Sequence, residues 1–232
     1  MNTNSATNVV VPERRPMFAR ELNLLKLLAR WLVAHQVSPN VISLAGMAGG
    51  IVAGLALAAT TLPGLARPMF LLAAAGIIAR ALGNLLDGMV AVGTGKASPL
   101  GELFNEVPDR VSDIAILVGA GYAAGGNATL GLLAALAAVL VAYVRAEGKV
   151  VGAAQHYCGP MAKPERMLVI FLVAFYCGLT PASWQPAWKI GNEKFGLMAP
   201  GLALIVAGGI VTAIRRLNRI AKEAAKSYAL KK

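Results

Sequence analysis

Six stretches of the chain are each long and apolar enough to be a membrane-crossing helix, and this constrains the fold more than any other feature. They run over about residues 41–60, 69–91, 102–124, 128–147, 166–182 and 197–214. A helix rising 1.5 Å per residue needs roughly 20 mostly apolar residues to cross the hydrocarbon core. Composition agrees: 57% of the residues are hydrophobic, only 14% are charged and the mean hydropathy is +0.63, outside the range of an ordinary soluble domain. The reading is an all-α, polytopic membrane protein with six transmembrane helices.

The net charge of +11 informs through its placement. Arg14, Arg15, Arg20, Lys26 and Arg30 precede the first apolar stretch, Arg145, Lys149, Lys163 and Arg166 surround the fourth connection, and a run from Arg215 to Lys232 follows the last. With six crossings these all fall on one side, which the positive-inside rule makes cytoplasmic, so both termini are expected in the cytoplasm. Their division among membrane-flanking segments makes membrane lipids with anionic headgroups the expected partners, and no nucleic acid is expected. Trp184 and Trp188, in the connection on the far side, suit a membrane interface.

No cleavable secretory signal is expected, since the first 16 residues are polar and no small-residue cleavage site follows. Residues 17–34 interleave Arg20, Lys26 and Arg30 with Leu22, Leu25, Leu28 and Trp31, the pattern of an amphipathic helix lying in the interface. Val-Ser-Pro-Asn at 37–40 supplies a break and a capping residue before the first span. The expected organisation is a polar tail at 1–16, an interfacial amphipathic helix at 17–36, a six-helix membrane domain at 37–215 and a basic tail at 216–232. Cys158 and Cys177 are too few for a disulfide framework or a thiolate metal site and read as packing residues. No internal repeat supports an inverted-repeat transporter.

The exception to apolar spans is the polar material around residues 80–113. Glu102, Asn105, Glu106, Asp109 and Asp113 recur every three or four residues, one stripe on a helix. Carboxylates in a span are costly unless they face a wet cavity, a metal or a cation. Arg80 shares a face with Asn84 and Asp87, about two turns from the helix end, so a buried partner, Asp109, Asp113 or a substrate phosphate, is favoured over snorkelling. The plainer alternative is a hydrogen-bonded polar seam between helices.

Residues 84–92, Asn-Leu-Leu-Asp-Gly-Met-Val-Ala-Val, are followed after eight residues by 101–109, Gly-Glu-Leu-Phe-Asn-Glu-Val-Pro-Asp. This resembles the signature of the CDP-alcohol phosphatidyltransferase family, Asp-x-x-Asp-Gly-x-x-Ala-Arg, a spacer of eight or nine, then Gly-x-x-x-Asp-x-x-x-Asp. Asp87, Gly88, Ala91, Gly101 and Asp109 match; Asn84, Asn105 and Val92 replace Asp, Asp and Arg. The Pro-Asn entry to the first span and the basic segments at 143–149 and 159–166 are also similar to that family.

The resemblance implies a metal-dependent transfer of a phosphatidyl group from CDP-diacylglycerol to an alcohol acceptor, with release of CMP, at the cytoplasmic face of the cell inner membrane in phospholipid biosynthesis. Asp109 then stands at the general base, and Asn84, Asp87, Asn105 and Asp109 at metal-ligand positions for Mg²⁺ or Mn²⁺. Asp113 or Glu106 could offset the lost charge, because an amide oxygen ligates a hard cation without bringing charge of its own. Asp87, Gly88, Ala91 and Gly101 form the nucleotide side, where small residues admit a diphosphate, though small residues also serve helix packing. Arg80, Arg145, Lys149, Lys163 and Arg166 are candidates for an acceptor or a phosphate, against the alternative of a topology anchor. Two other readings stay open: transfer of a headgroup from a CDP-alcohol to diacylglycerol, and a non-catalytic family member that binds lipid or nucleotide. Helices of this type often pair, so a homodimer is the assembly that the resemblance allows.

Overall fold

A computed structural model describes residues 23–94, 99–154, 157–191 and 193–229. The polar tail at 1–16, residues 17–22 with Arg20, Lys231 and Lys232 lie outside the described residues, as does the side chain of Glu102. Seven α-helices account for nearly all of it: α1 Asn23–Ala34, α2 Pro39–Ala59, α3 Ala66–Gly93, α4 Pro99–Tyr122, α5 Ala128–Val150, α6 Lys163–Leu179 and α7 Met198–Ala229. Each apolar stretch read from the sequence is a helix, with ends displaced by a few residues. The last helix continues unbroken through the basic segment to Ala229.

Among the described residues, four helices, α2, α3, α5 and α7, have the length and apolarity to cross a membrane, with mean hydropathies of 1.7 to 2.1. Half or less of each apolar stretch is buried within the chain, so long apolar side chains such as Leu55, Leu136 and Ile214 cover the outside. Water would not tolerate that surface. The protein is an all-α membrane protein. α6, at 17 residues, is shorter, and α4 carries the acidic stripe.

α2 is the central wedge, packed against both α3 and α4, while α5 packs on α4 and α7, and α6 on α3 and α7. Its glycines make this possible, because Gly46, Gly50 and Gly54 recur every four residues along one face. A Cβ on Gly50 would lie 2.6 Å from Ser112 Cβ, and one on Gly54 would lie 2.2 Å from the Ala115 carbonyl oxygen. Gly119 answers from α4, where a Cβ would come within 2.1 Å of the Gly54 carbonyl oxygen. Backbone therefore meets backbone, the close approach that small residues permit in membrane helices.

The break before α2 is made by Gln36, with φ 53°, and by Ser38 as the N-cap, followed by Pro39. Ser38 makes no side-chain capping bond. Leu25 and Ala29 seat α1 on Leu85, Leu86 and Val90 of α3, while Leu24, Leu27, Leu28 and Trp31 are exposed beside Lys26 and Arg30. Between α6 and α7 the chain forms a two-stranded antiparallel hairpin, β1 Trp188–Ile190 and β2 Glu193–Phe195, which the sequence reading left as a connection. Cys177 is buried and Cys158 partly so, both as free thiols.

Candidate active site

The acidic stripe of α4 is the hub of a charged cluster buried between the helices. Asp109 and Asp113 are 7% and 2% exposed. Carboxylates so deep in an apolar bundle require cations or hydrogen-bond donors, and each neighbouring helix contributes some. Arg80 of α3 pairs through Nη2 with Asp109 Oδ1, and Lys163, the first residue of α6, pairs with Asp109 Oδ2. Arg110 Nη2 lies 3.8 Å from the same Oδ2. Arg166 Nη2 donates to Asp113 Oδ2 at 3.1 Å, and its Nη1 donates to the Met161 carbonyl at 3.2 Å, tying the start of α6 to α4.

Further along α4, Glu106 accepts from Arg145 Nη2 of α5 at 2.6 and 2.7 Å and from Arg110 Nη2 at 3.1 Å. The Arg145 guanidinium also lies 5.7 Å from the centre of the Tyr157 ring, within cation–π range. On α3, Asp87 is 4% exposed and accepts from the Ser43 hydroxyl of α2 at 2.7 Å. Pro108, inside α4, has no N–H to give the Phe104 carbonyl one turn earlier, and its own carbonyl accepts from Ser112 at 2.7 Å. Glu106, Asp109 and Asp113 are thus paired with Arg80, Arg110, Arg145, Lys163 and Arg166, and Asp87 with the Ser43 hydroxyl.

Several buried oxygens stand apart from these pairs. Asp87 Oδ1, Asn105 Oδ1 and Asp113 Oδ1 have no hydrogen-bond partner among the described residues. Buried acceptors are rarely left unmade, and carboxylate and amide oxygens are the donor chemistry of a hard cation such as Mg²⁺ or Mn²⁺. Among the described residues, no group of three His, Cys, Asp or Glu side chains is placed to hold a metal ion. Asp87, Asn105 and Asp113 each carry an oxygen of the type a hard cation takes.

This arrangement of helices and motif has known counterparts. The CDP-alcohol phosphatidyltransferase family model matches residues 36–214. The chain belongs to this family. Inner membrane protein YnbA of Escherichia coli is 31% identical over 190 residues, 82% of this chain and 89% of the relative. A phosphatidylinositol phosphate synthase of Streptomyces avermitilis is 27% identical over 208 residues, 87% of this chain and 79% of the relative. Among solved structures, the Mycobacterium tuberculosis phosphatidylinositol phosphate synthase PgsA1 in complex with manganese and citrate superposes with a TM-score of 0.67 at 19% identity. That match covers 84% of this chain and 88% of the other. At such identity the likeness speaks to the fold alone. As a CDP-alcohol phosphatidyltransferase, the chain is a membrane transferase of phospholipid biosynthesis.

Within this family frame, the structure places the buried Arg80, Asp87, Asp109, Asp113 and Arg166 in one cluster, with the half-buried Arg145 and Lys163 at its edge. Asn84 and Asn105 are half-buried on α3 and α4, Gly88 and Ala91 follow Asp87 along α3, and Gly101 lies in the first turns of α4. Lys149 is exposed in the last turn of α5, about one turn beyond Arg145. Arg166, a candidate for an acceptor, is 1% exposed and turned inward on Asp113, so it is closed to a soluble ligand. Glu106, a candidate to offset the missing carboxylates, has both oxygens engaged by Arg145.

Ser43, Arg110 and Tyr157 belong to the site and were not singled out for it. Arg110 follows Asp109 directly, a signal that could have found it. The partner of Ser43 is 44 residues away and emerges only from the packing of α2 on α3.

Proposed function

We propose that this chain transfers a phosphatidyl group from CDP-diacylglycerol to a hydroxyl acceptor and releases CMP. The observation that carries the reading is Asp87, an almost fully buried carboxylate with one partnerless oxygen, one turn after Asn84 and in the same network as Asp109. Buried acceptors are rarely left unmade, and this one is of the kind a hard cation takes. The proposal includes six spans with both termini in the cytoplasm, α1 lying in the interface, and a site at the cytoplasmic face. It keeps the boundaries of the sequence reading, a membrane domain at 37–215 between an interfacial helix at 17–36 and a basic tail at 216–232. The cluster sits where α3 ends, α4 and α6 begin and α5 ends, the side rich in Lys and Arg.

In the reaction, the acceptor oxygen forms a bond to the phosphatidyl phosphorus as the bond to the CMP oxygen breaks, and the hydroxyl proton passes to Asp109. A divalent ion, Mg²⁺ or Mn²⁺, held by Asp87 and the Asn105 amide oxygen, would supply positive charge to the diphosphate. Arg80 pairs with Asp109 Oδ1 and orients it from the buried side. Lys163, with a side chain 22% exposed, is the partner that can exchange to an incoming phosphate, and that exchange frees Oδ2 to take the proton. Gly88, Ala91 and Gly101 keep bulk away from the nucleotide. Arg145, half-buried near the end of α5, is the group proposed to meet an anionic acceptor.

The test is incubation of the purified full chain in detergent with CDP-diacylglycerol, Mg²⁺ or Mn²⁺ and a panel of plain and phosphorylated alcohols, with CMP release as the readout. Acceptor-dependent CMP release is expected. Release only when a CDP-alcohol and diacylglycerol are supplied would move the chain to headgroup transfer.

A further inference from the structure

Asp109 is enclosed by cations on two sides. Arg80, 3% exposed, reaches Oδ1 from α3, and Lys163 reaches Oδ2 from α6, with Arg110 close behind. Space for the guanidinium is left by α2: a Cβ on Gly46 would stand 3.7 Å from Arg80 Nη1. Both oxygens of Asp109 are thus occupied by protein cations. A divalent ion bridging Asp109 to other carboxylates would have to displace them.

The carboxylates that such an ion would also need are missing. Positions 84 and 105, one on each of the two motif helices, are amides, so the four motif positions carry two formal negative charges, on Asp87 and Asp109. The missing negative charges and the nearby cation offset each other. Removal of two negative charges lowers the demand for metal, and a cation one turn before Asn84, on the same face, fills the position with positive charge. Buried oxygens without a hydrogen bond among the described residues include Asp87 Oδ1, Asn105 Oδ1 and Asp113 Oδ1, and no Asp109 oxygen is among them.

We propose that Arg80 and Lys163 take the electrostatic place of a second divalent ion, so that the nucleotide-free protein holds a single ion, through Asp87 and the Asn105 amide. This deepens the proposed function by naming how the diphosphate is neutralised, and it rests on that reading only for the identity of the anion. The count of ions does not depend on turnover.

The experiment is a Mn²⁺ titration of the purified full chain in detergent, followed by electron paramagnetic resonance. The unmodified protein is expected to bind one Mn²⁺ per chain without magnetic coupling between ions. Asn84→Asp with Asn105→Asp should bind that ion more tightly and stay at one, because Arg80 still holds Asp109. Adding Arg80→Gln to this pair should admit a second, coupled Mn²⁺. The inference is overturned by no ion or two coupled ions in the unmodified protein, by two in the double variant, or by one in a triple variant that elutes as a single species. If the triple variant does not elute so, the first two titrations decide. CMP release measured alongside separates the claims: turnover with two coupled ions sinks this inference and keeps the function, and one ion without turnover on any acceptor does the reverse.

Discussion

Arg166→Met tests whether the charged network is structural as well as functional. Arg166 and Asp113 are 1% and 2% exposed and paired at 3.1 Å, and Asp113 Oδ1 already has no partner. Methionine fills similar space but removes the Asp113 Oδ2 contact and the bond to the Met161 carbonyl. Breaking a buried pair from one side leaves the other charge uncompensated, at a cost of about 3–5 kcal/mol. Arg80 and Lys163 still attract Asp113 electrostatically, which places the loss near the lower end. At about 2–4 °C per kcal/mol for a chain of this size, the unfolding midpoint should fall by roughly 6–12 °C. Replacing both partners, Arg166→Met with Asp113→Leu, should recover most of that, because no unpaired charge remains. The assay is the temperature at which detergent-solubilised protein loses its monodisperse elution, read at one fixed heating schedule. A fall below about 2 °C in Arg166→Met, or a double variant as unstable as the two single changes added, would refute the reasoning.

Gly54→Ala should lower the same midpoint, because the new Cβ would lie 2.2 Å from the Ala115 carbonyl oxygen and force α2 from α4, an overpacking cost of about 1–3 kcal/mol. Gly201→Ala, whose Cβ would meet Val169 and Val173 at ordinary contact distances of 3.4 and 3.6 Å, should change it little. Arg145→Ala should raise the apparent KM for an anionic acceptor more than that for CDP-diacylglycerol in steady-state CMP release; equal shifts would return Arg145 to the role of anchor.

The helices were legible because an apolar run of helix-spanning length has few other solutions in a bilayer, and Pro39, Pro99 and Pro164 stand at helix starts where a missing N–H is harmless. The partners of Gly50 and Gly54 could not be read from sequence, since Ser112 and Gly119 face them only once α2 is wedged against α4. The pairing of Arg80 with Asp109 was one of two carboxylate options, separated by a single helical turn. Lys163 reaching the same carboxylate depends on where α6 enters, 54 residues away, which no local pattern encodes. Arg216 read as one more basic anchor in the tail, yet it is 4% exposed and donates to the Cys158 and Val141 carbonyls at 3.0 and 3.2 Å, docking the α5–α6 connection on α7. The hairpin was signalled faintly by Gly191-Asn192 between two short strand-forming segments.

The central claim is that Asp109, within this cationic cluster, serves phosphatidyl transfer. CDP-diacylglycerol labelled in its acyl chains, incubated with the unmodified chain and with Asp109→Asn, tests it most directly. The unmodified protein should move the label into a new phospholipid in equal amount to the CMP released. Asp109→Asn should form neither product while still being stabilised against heat by CDP-diacylglycerol, because an amide cannot accept the hydroxyl proton. Label transfer at a comparable rate in Asp109→Asn, or CMP release without labelled phospholipid in the unmodified protein, would contradict the account.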